Sequence, residues 1–273
     1  MHTAVVHCHP ESIESIDQPL GQIMICLLGD FHLVSQGKRI PLNGVGKGAA
    51  LLRLLAVHPQ VCVARETILE ELWPNTDTEL AAQSLNSLVY SLHKQLGEYL
   101  GQFSPVVYCE GLYRLNLYAG IEVDVLLFSQ LARRSDDLRH AGRLPEAVQA
   151  AEEAISYYQG DLCTGSSTSS ILEREHLRMI FLSLQMRVAE FAFQQGDINR
   201  SLEQARHILA YDPCREDAYR LAMRCYLRRG ERTAALRSYL LCAEILKKEY
   251  AAVPEPATTQ LYDQIRTNPP LPG

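Results

Sequence analysis

The apolar positions of this 273-residue chain change their period along its length. Ile23–Leu28, Phe31–Val34 and Arg39–Leu42 are short β-prone runs divided by Gly29-Asp30 and Gln36-Gly37, which predicts a small antiparallel sheet. Lys47–Val57 is rich in Ala and Leu and stops at His58-Pro59, so it reads as a helix. Glu66–Leu72 reads as a short helix closed by Trp73-Pro74, with the only tryptophan following Leu69 and Leu72 at helical spacing as a core anchor. In Ala81–Leu96, Leu85, Leu88, Leu92 and Leu96 recur every three or four residues and mark one buried helix face. The opposite face carries Gln83, Asn86, Ser87, Tyr90, Ser91, Lys94 and Gln95, and Gly97 fits the position just past the helix end. Pro105–Cys109 and Leu112–Leu117 flank Glu110-Gly111 and predict a hairpin.

A long helix followed by a hairpin is the reading half of a winged helix-turn-helix, and an ordinary amphipathic helix beside an ordinary hairpin carries the same pattern. The polar face of the helix is built from groups that meet base edges and phosphates. The chain is organised around this stretch, Thr78–Tyr118.

After Tyr118 the pattern is helical throughout. Asp124–Leu138, Leu144–Tyr158, Ile171–Gln195, Asn199–Tyr211, Glu216–Arg229 and Arg232–Tyr250 are predicted helices, broken at glycine or proline. Gly196-Asp197-Ile198-Asn199-Arg200-Ser201-Leu202 matches Gly230-Glu231-Arg232-Thr233-Ala234-Ala235-Leu236 at an offset of 34 residues. Gly142-Arg143-Leu144-Pro145-Glu146-Ala147-Val148 is a third copy, displaced by an insertion at Gly160–Ser170. A small residue follows each glycine by five positions and lets paired helices approach closely. This is the tetratricopeptide period, so stacked helical hairpins are expected.

Composition bounds the chemistry. The net charge is −6, and no run approaches the roughly 18–20 apolar residues of a membrane span, so a cytoplasmic protein with no membrane partner is expected. The eight cysteines are scattered without a CxxC pair, which fits reduced, buried thiols. His7-Cys8-His9 lacks a second ligand pair, so no metal and no cofactor are expected. Gly44-Val45-Gly46-Lys47-Gly48 fails as a phosphate loop, because Pro41 and Gly48 replace the required glycine and hydroxyl. With no catalytic constellation, the chain reads as a non-enzyme.

The ordered set of motifs resembles the SARP-like (antibiotic-regulatory-protein) class of bacterial transcriptional activators. In the first part the resemblance rests on Leu28-Gly29-Asp30-Phe31, Gly37-Lys38-Arg39-Ile40-Pro41-Leu42, Val63-Ala64-Arg65-Glu66, Leu72-Trp73-Pro74, Leu92-His93-Lys94-Gln95-Leu96-Gly97 and Gly111-Leu112-Tyr113-Arg114-Leu115. In the second it rests on Asp124, Phe128, Tyr158-Gln159-Gly160-Asp161-Leu162, Asp212-Pro213 and the close at Pro254-Glu255-Pro256-Ala257-Thr258. It implies an α+β winged helix of the OmpR type, then an all-α tetratricopeptide-like bacterial transcriptional activator domain. The expected division is a poorly ordered leader 1–22, a DNA-binding domain 23–118, a helical domain 121–266 and a tail 267–273. It further implies an activator that binds promoter repeats in double-stranded DNA as a side-by-side homodimer and contacts RNA polymerase or another protein. The expected contact residues are Asn86, Ser87, Tyr90, Ser91, His93 and Lys94 on the long helix, Tyr113 and Arg114 on the hairpin, and Lys47.

The family usually carries S-R-L-R-R near the end of the recognition helix, where this chain has Tyr90-Ser91-Leu92-His93-Lys94. From Ile23 to Tyr118 seven basic residues face eight acidic ones, a net of −1. DNA-binding domains draw much of their affinity from a basic face. The competing reading is therefore a tetratricopeptide-like adaptor whose winged helix binds DNA weakly or not at all.

Overall fold

The computed structural model describes residues 23–42, 46–101, 103–163 and 168–267. The expected leader, His7-Cys8-His9, Gly44-Val45 and all but Thr267 of the expected tail lie outside the described residues. The chain divides into two compact units. One runs to Gln130 and includes Tyr157–Leu177; the other holds Leu131–Ser156 and the chain from Arg178 onward.

The first unit opens with β1 (Ile23–Cys26), β2 (His32–Ser35) and β3 (Lys38–Ile40), an antiparallel meander in which every other side chain is buried on β1 and β2. α1 (Lys47–Val57), the short strand β4 (Val63–Ala64), α2 (Arg65–Leu72) and α3 (Thr78–Leu100) follow. Leu51, Leu52 and Leu55 of α1, Ile68 of α2, and Leu85, Leu92 and Leu96 of α3 are almost wholly buried. Gly48 faces Leu88 and Leu92 of α3, where a Cβ would meet Leu92 Cδ2 at 3.4 Å, an ordinary packing contact. At the start of α3, Asp77 Oδ1 accepts the Glu79 and Leu80 N–H groups at 3.0 and 3.4 Å, an N-cap that satisfies donors the helix cannot. The hairpin is β5 (Val106–Cys109) and β6 (Leu112–Leu115), with β4 on the other edge of β6. Glu110 (φ 49°) and Gly111 (φ 85°) both turn left-handed, the conformation that closes a two-residue hairpin.

Two sequence expectations need correction here. α3 does not end at Gly97: it continues one more turn to Leu100, and Gly101 (φ 62°) ends it. Leu100 extends the apolar series and is 1% exposed, and its burial outweighs the helix-interior cost of Gly97. Nor is the chain purely helical after Tyr118. A 3₁₀ turn (Leu117–Ala119) leads into β7 (Ile121–Val123), which pairs in parallel with β1 and makes the sheet order β3-β2-β1-β7.

α4 (Asp124–His140) starts directly from β7. Asp124 is buried, and its carboxylate accepts the N–H groups of Leu27 and Leu28 at 2.8 Å each and of Val125 at 2.7 Å. The stretch after α5 (Leu144–Tyr157) is no surplus insertion. Leu162 bridges Leu28, Cys163 N–H donates to the Leu27 carbonyl at 2.8 Å, and a Cβ on Gly160 would stand 3.2 Å from the Gly29 Cα.

The second unit is helical. α6 (Thr168–Gln194), α7 (Ile198–Tyr211), α8 (Glu216–Arg228), α9 (Arg232–Tyr250) and α10 (Pro256–Thr267) continue the chain. α10 goes beyond the helices the periodicity predicts; Pro256 opens it at the first helical position, where an N–H would have no intrahelical partner. The three repeat glycines, Gly142, Gly196 and Gly230, all take φ between 73° and 81° at the turns between helices. The small residues five positions on, Ala147, Ser201 and Ala235, are completely buried, as the repeat predicts. Ala189, Leu202, Ala205, Leu221, Ala222 and Cys225 join α6, α7 and α8 in one core. The architecture is a winged helix-turn-helix followed by a tetratricopeptide-like helical array.

The thiols are only partly as expected. Of the seven described cysteines, all free, Cys225 and Cys242 are buried and Cys109 is exposed. Burial pushes Cys242 up to about 12 and Cys26 and Cys163 to about 11, so these thiols stay protonated at neutral pH.

Candidate nucleic-acid interface

The apolar stripe of α3 packs inward and leaves Asn86, Ser87, Tyr90 and Lys94 exposed along the other side. Tyr90 is 70% exposed, the most solvent-facing aromatic side chain of the helix. Ser87 Oγ donates to the Gln83 carbonyl at 3.0 Å, and Ser91 Oγ accepts from Gln95 Nε2 at 3.3 Å, so both hydroxyls are engaged within the helix. His93 and Ser91 are half-buried at the edge of this face.

The hairpin is fixed to the helices through its turn. Arg65 N–H, the first of α2, donates to the Gly111 carbonyl at 2.9 Å. Across the hairpin, Tyr108 pairs with Tyr113 with ring centroids 4.8 Å apart. Here the structure revises a sequence expectation: Tyr113 is only 3% exposed. It sits in the middle strand of a three-stranded sheet, between Val63 and Tyr108, and alternation turns its ring inward. Burial raises the pKa of its hydroxyl. Tyr108, its cross-strand partner on the same face of the sheet, is 55% exposed. Arg114 is half-buried on the same strand.

Lys47 belongs to a different neighbourhood. Its ammonium lies 4.3 Å from the centroid of Trp73, although the residue is exposed. The structure thus gathers Asn86, Ser87, Tyr90 and Lys94 on one face, with Ser91 and His93 at its margin. It also places Arg65 and Tyr108 beside that face, two residues the sequence reading did not select. Arg65 follows the two-residue strand Val63–Ala64, too short to signal that α2 begins against the hairpin turn.

In the helical unit most arginines have acidic partners. Arg200 pairs with Glu152, Arg224 with Glu190, Arg220 with Glu255, and Arg215 with Asp217. Such pairs, exposed or half-buried, describe a charge-balanced surface more than a basic stripe. Among the described residues no group of three His, Cys, Asp or Glu side chains is placed to hold a metal ion, and no helix is long and apolar enough to cross a membrane.

Transcriptional regulatory protein MoaR1 of Mycobacterium tuberculosis (strain ATCC 25618 / H37Rv) is 22% identical over 257 residues, which cover 92% of this chain and 81% of that protein. MoaR1 of Mycobacterium bovis (strain BCG / Pasteur 1173P2) matches to the same extent. The structure of Mycobacterium tuberculosis EmbR in complex with a low affinity phosphopeptide superposes with a TM-score of 0.76 at 19% identity, covering 92% of this chain and 67% of that one. At that identity the likeness speaks to the fold. The bacterial transcriptional activator domain matches residues 123–266, more than half of the sequence, so the chain belongs to the family of SARP-like transcriptional activators that carry this domain.

Proposed function

We propose that the chain is a cytoplasmic, sequence-specific regulator that binds double-stranded DNA through α3 and the β5–β6 wing, and activates transcription. The observation that carries this reading is the row of Asn86, Ser87, Tyr90 and Lys94, exposed together on the face of α3 opposite its buried leucines. An amide such as Asn86 reads a base edge in the major groove, and Lys94 neutralises a phosphate. Ser87, Tyr90, Ser91 and His93 line the groove walls, Tyr113 supports the wing from below, and Arg114 meets the backbone from the wing. Lys47 adds a phosphate contact from the start of α1. In this reading residues 23–118 form the DNA-binding domain, and 121–266 the helical domain that contacts RNA polymerase or a partner protein. A side-by-side homodimer would supply the second half-site.

The charge count favours a second reading. With a net of −1 between Ile23 and Tyr118, the phosphate contribution is small, and an adaptor working through its helical repeats needs no strong DNA binding. Immunoprecipitation of the tagged protein with its bound chromosomal DNA, followed by sequencing, separates the two. A recurrent direct-repeat motif supports the DNA-binding regulator; no enrichment over input supports the adaptor.

A further inference from the structure

A cleft of about 470 Å³ opens between α3 and the wing, within the first unit. Arg65, Asn86, Tyr90, His93, Tyr108 and Tyr113 are its chemically informative walls. The volume falls in the range of small-molecule sites. Three observations define what would fill it. First, none of its lining residues is acidic, and Arg65 is its permanent cation. Second, Arg65 Nε and His93 Nδ1 are both buried without a hydrogen-bond partner. Buried polar atoms are nearly always paired, and here two unpaired ones belong to the walls of a single cleft. Third, the remaining walls are flat and aromatic: Tyr90 on the helix side, and the Tyr108–Tyr113 pair on the wing side. The buried Tyr113 hydroxyl, its pKa raised by desolvation, is a protonated donor at neutral pH.

We propose that this cleft binds a small planar aromatic anion, with its carboxylate or similar oxyanion on Arg65 and His93 and its ring against Tyr108 and Tyr90. A bare inorganic anion would satisfy Arg65 and leave the aromatic walls uncovered. A neutral aromatic would cover the walls and leave the arginine without an acceptor. Asn86 and Tyr90 are shared between the cleft and the exposed face of α3, so occupancy and DNA binding exclude each other, and the ligand is a negative effector. This last step rests on the DNA-binding reading; the site itself does not.

The test titrates the full chain with 2-naphthoate, 2-naphthamide and inorganic phosphate in a calorimeter. Saturable binding of naphthoate, at least tenfold tighter than either of the others, is expected. Arg65→Gln should weaken it at least tenfold. Tyr108→Ala, at a position 55% exposed, should weaken it at least threefold with the far-UV circular dichroism and melting of the chain retained. No saturation, equal binding of amide or phosphate, or unchanged affinity in Tyr108→Ala would overturn the site. A second arm measures anisotropy of a labelled operator with and without saturating naphthoate. Release of DNA supports the exclusion, and unchanged DNA affinity with naphthoate bound overturns it. If no operator is bound at all, the DNA-binding reading fails, and the calorimetric titration still decides the site.

Discussion

The ammonium of Lys47 rests 4.3 Å from the centre of the Trp73 ring, so the first residue of α1 covers the residue that closes α2. Trp73 is 9% exposed and is the chain's only tryptophan, so indole fluorescence reports the surroundings of this one ring. Native emission should be blue-shifted from that of hydrated indole. Trp73→Ala should cost about 3–5 kcal/mol in denaturant unfolding. Lys47→Ala should cost about 0.5–1 kcal/mol and shift the emission to the red. Native emission at the position of free indole in water would contradict the packing.

Asp124 makes stability depend on pH. Its burial pushes the carboxyl up to about 6, against the three backbone N–H groups and His32, which pull it down. A carboxyl whose folded pKa is raised binds its proton more tightly in the folded state. Its contribution is fully present below about pH 4 and is lost as pH rises through 6. Asp124→Asn should flatten the Tm–pH profile between pH 4 and 7. Asp124→Ala should cost about 1–3 kcal/mol for each buried N–H left unpaired. An unchanged profile in the asparagine variant would show that another group titrates.

The boundary near residue 120 should not be a clean cutting point. A fragment of residues 121–273 keeps β7 but loses β1, its parallel partner, and loses the Leu27 and Leu28 donors to Asp124. It also uncovers Leu162, 1% exposed in the full chain. Circular dichroism should show a helical fragment that melts lower and less cooperatively than the intact protein. A melt equal to that of the full chain would show that these contacts contribute little.

The same contacts mark the limit of what was legible in the sequence. The leucine series of α3, the Glu110-Gly111 turn and the glycine-spaced repeat are local patterns, and each appeared where the periodicity placed it. β7, the Leu28–Leu162 bridge and the extra turn of α3 depend on partners distant in sequence. Ile121–Val123 is a strand because β1 stands beside it, and its three residues are too few to signal one alone. The site divides in the same way. Asn86, Ser87, Tyr90 and Lys94 followed from helical spacing, whereas the inward turn of Tyr113 and the approach of Arg65 to the wing depend on strand pairing. Ser135 is similar: its hydroxyl donates to the Ala147 carbonyl at 2.6 Å and accepts from Arg187, a buried link that no local pattern announces.

The salt dependence of DNA binding, followed by fluorescence anisotropy on a selected operator, tests the proposed interface most directly. Each phosphate contact contributes about 0.9 to the log–log slope, so three cations, Lys47, Lys94 and Arg114, predict a shallow slope of about −3 per protomer. Lys94→Ala and Arg114→Ala should each weaken binding and flatten the slope by about one. Asn86→Ala should relax sequence preference and leave the slope unchanged, because an amide releases no counterion. Unchanged affinity and slope in both charge variants would contradict this interface and show that α3 and the wing do not meet DNA.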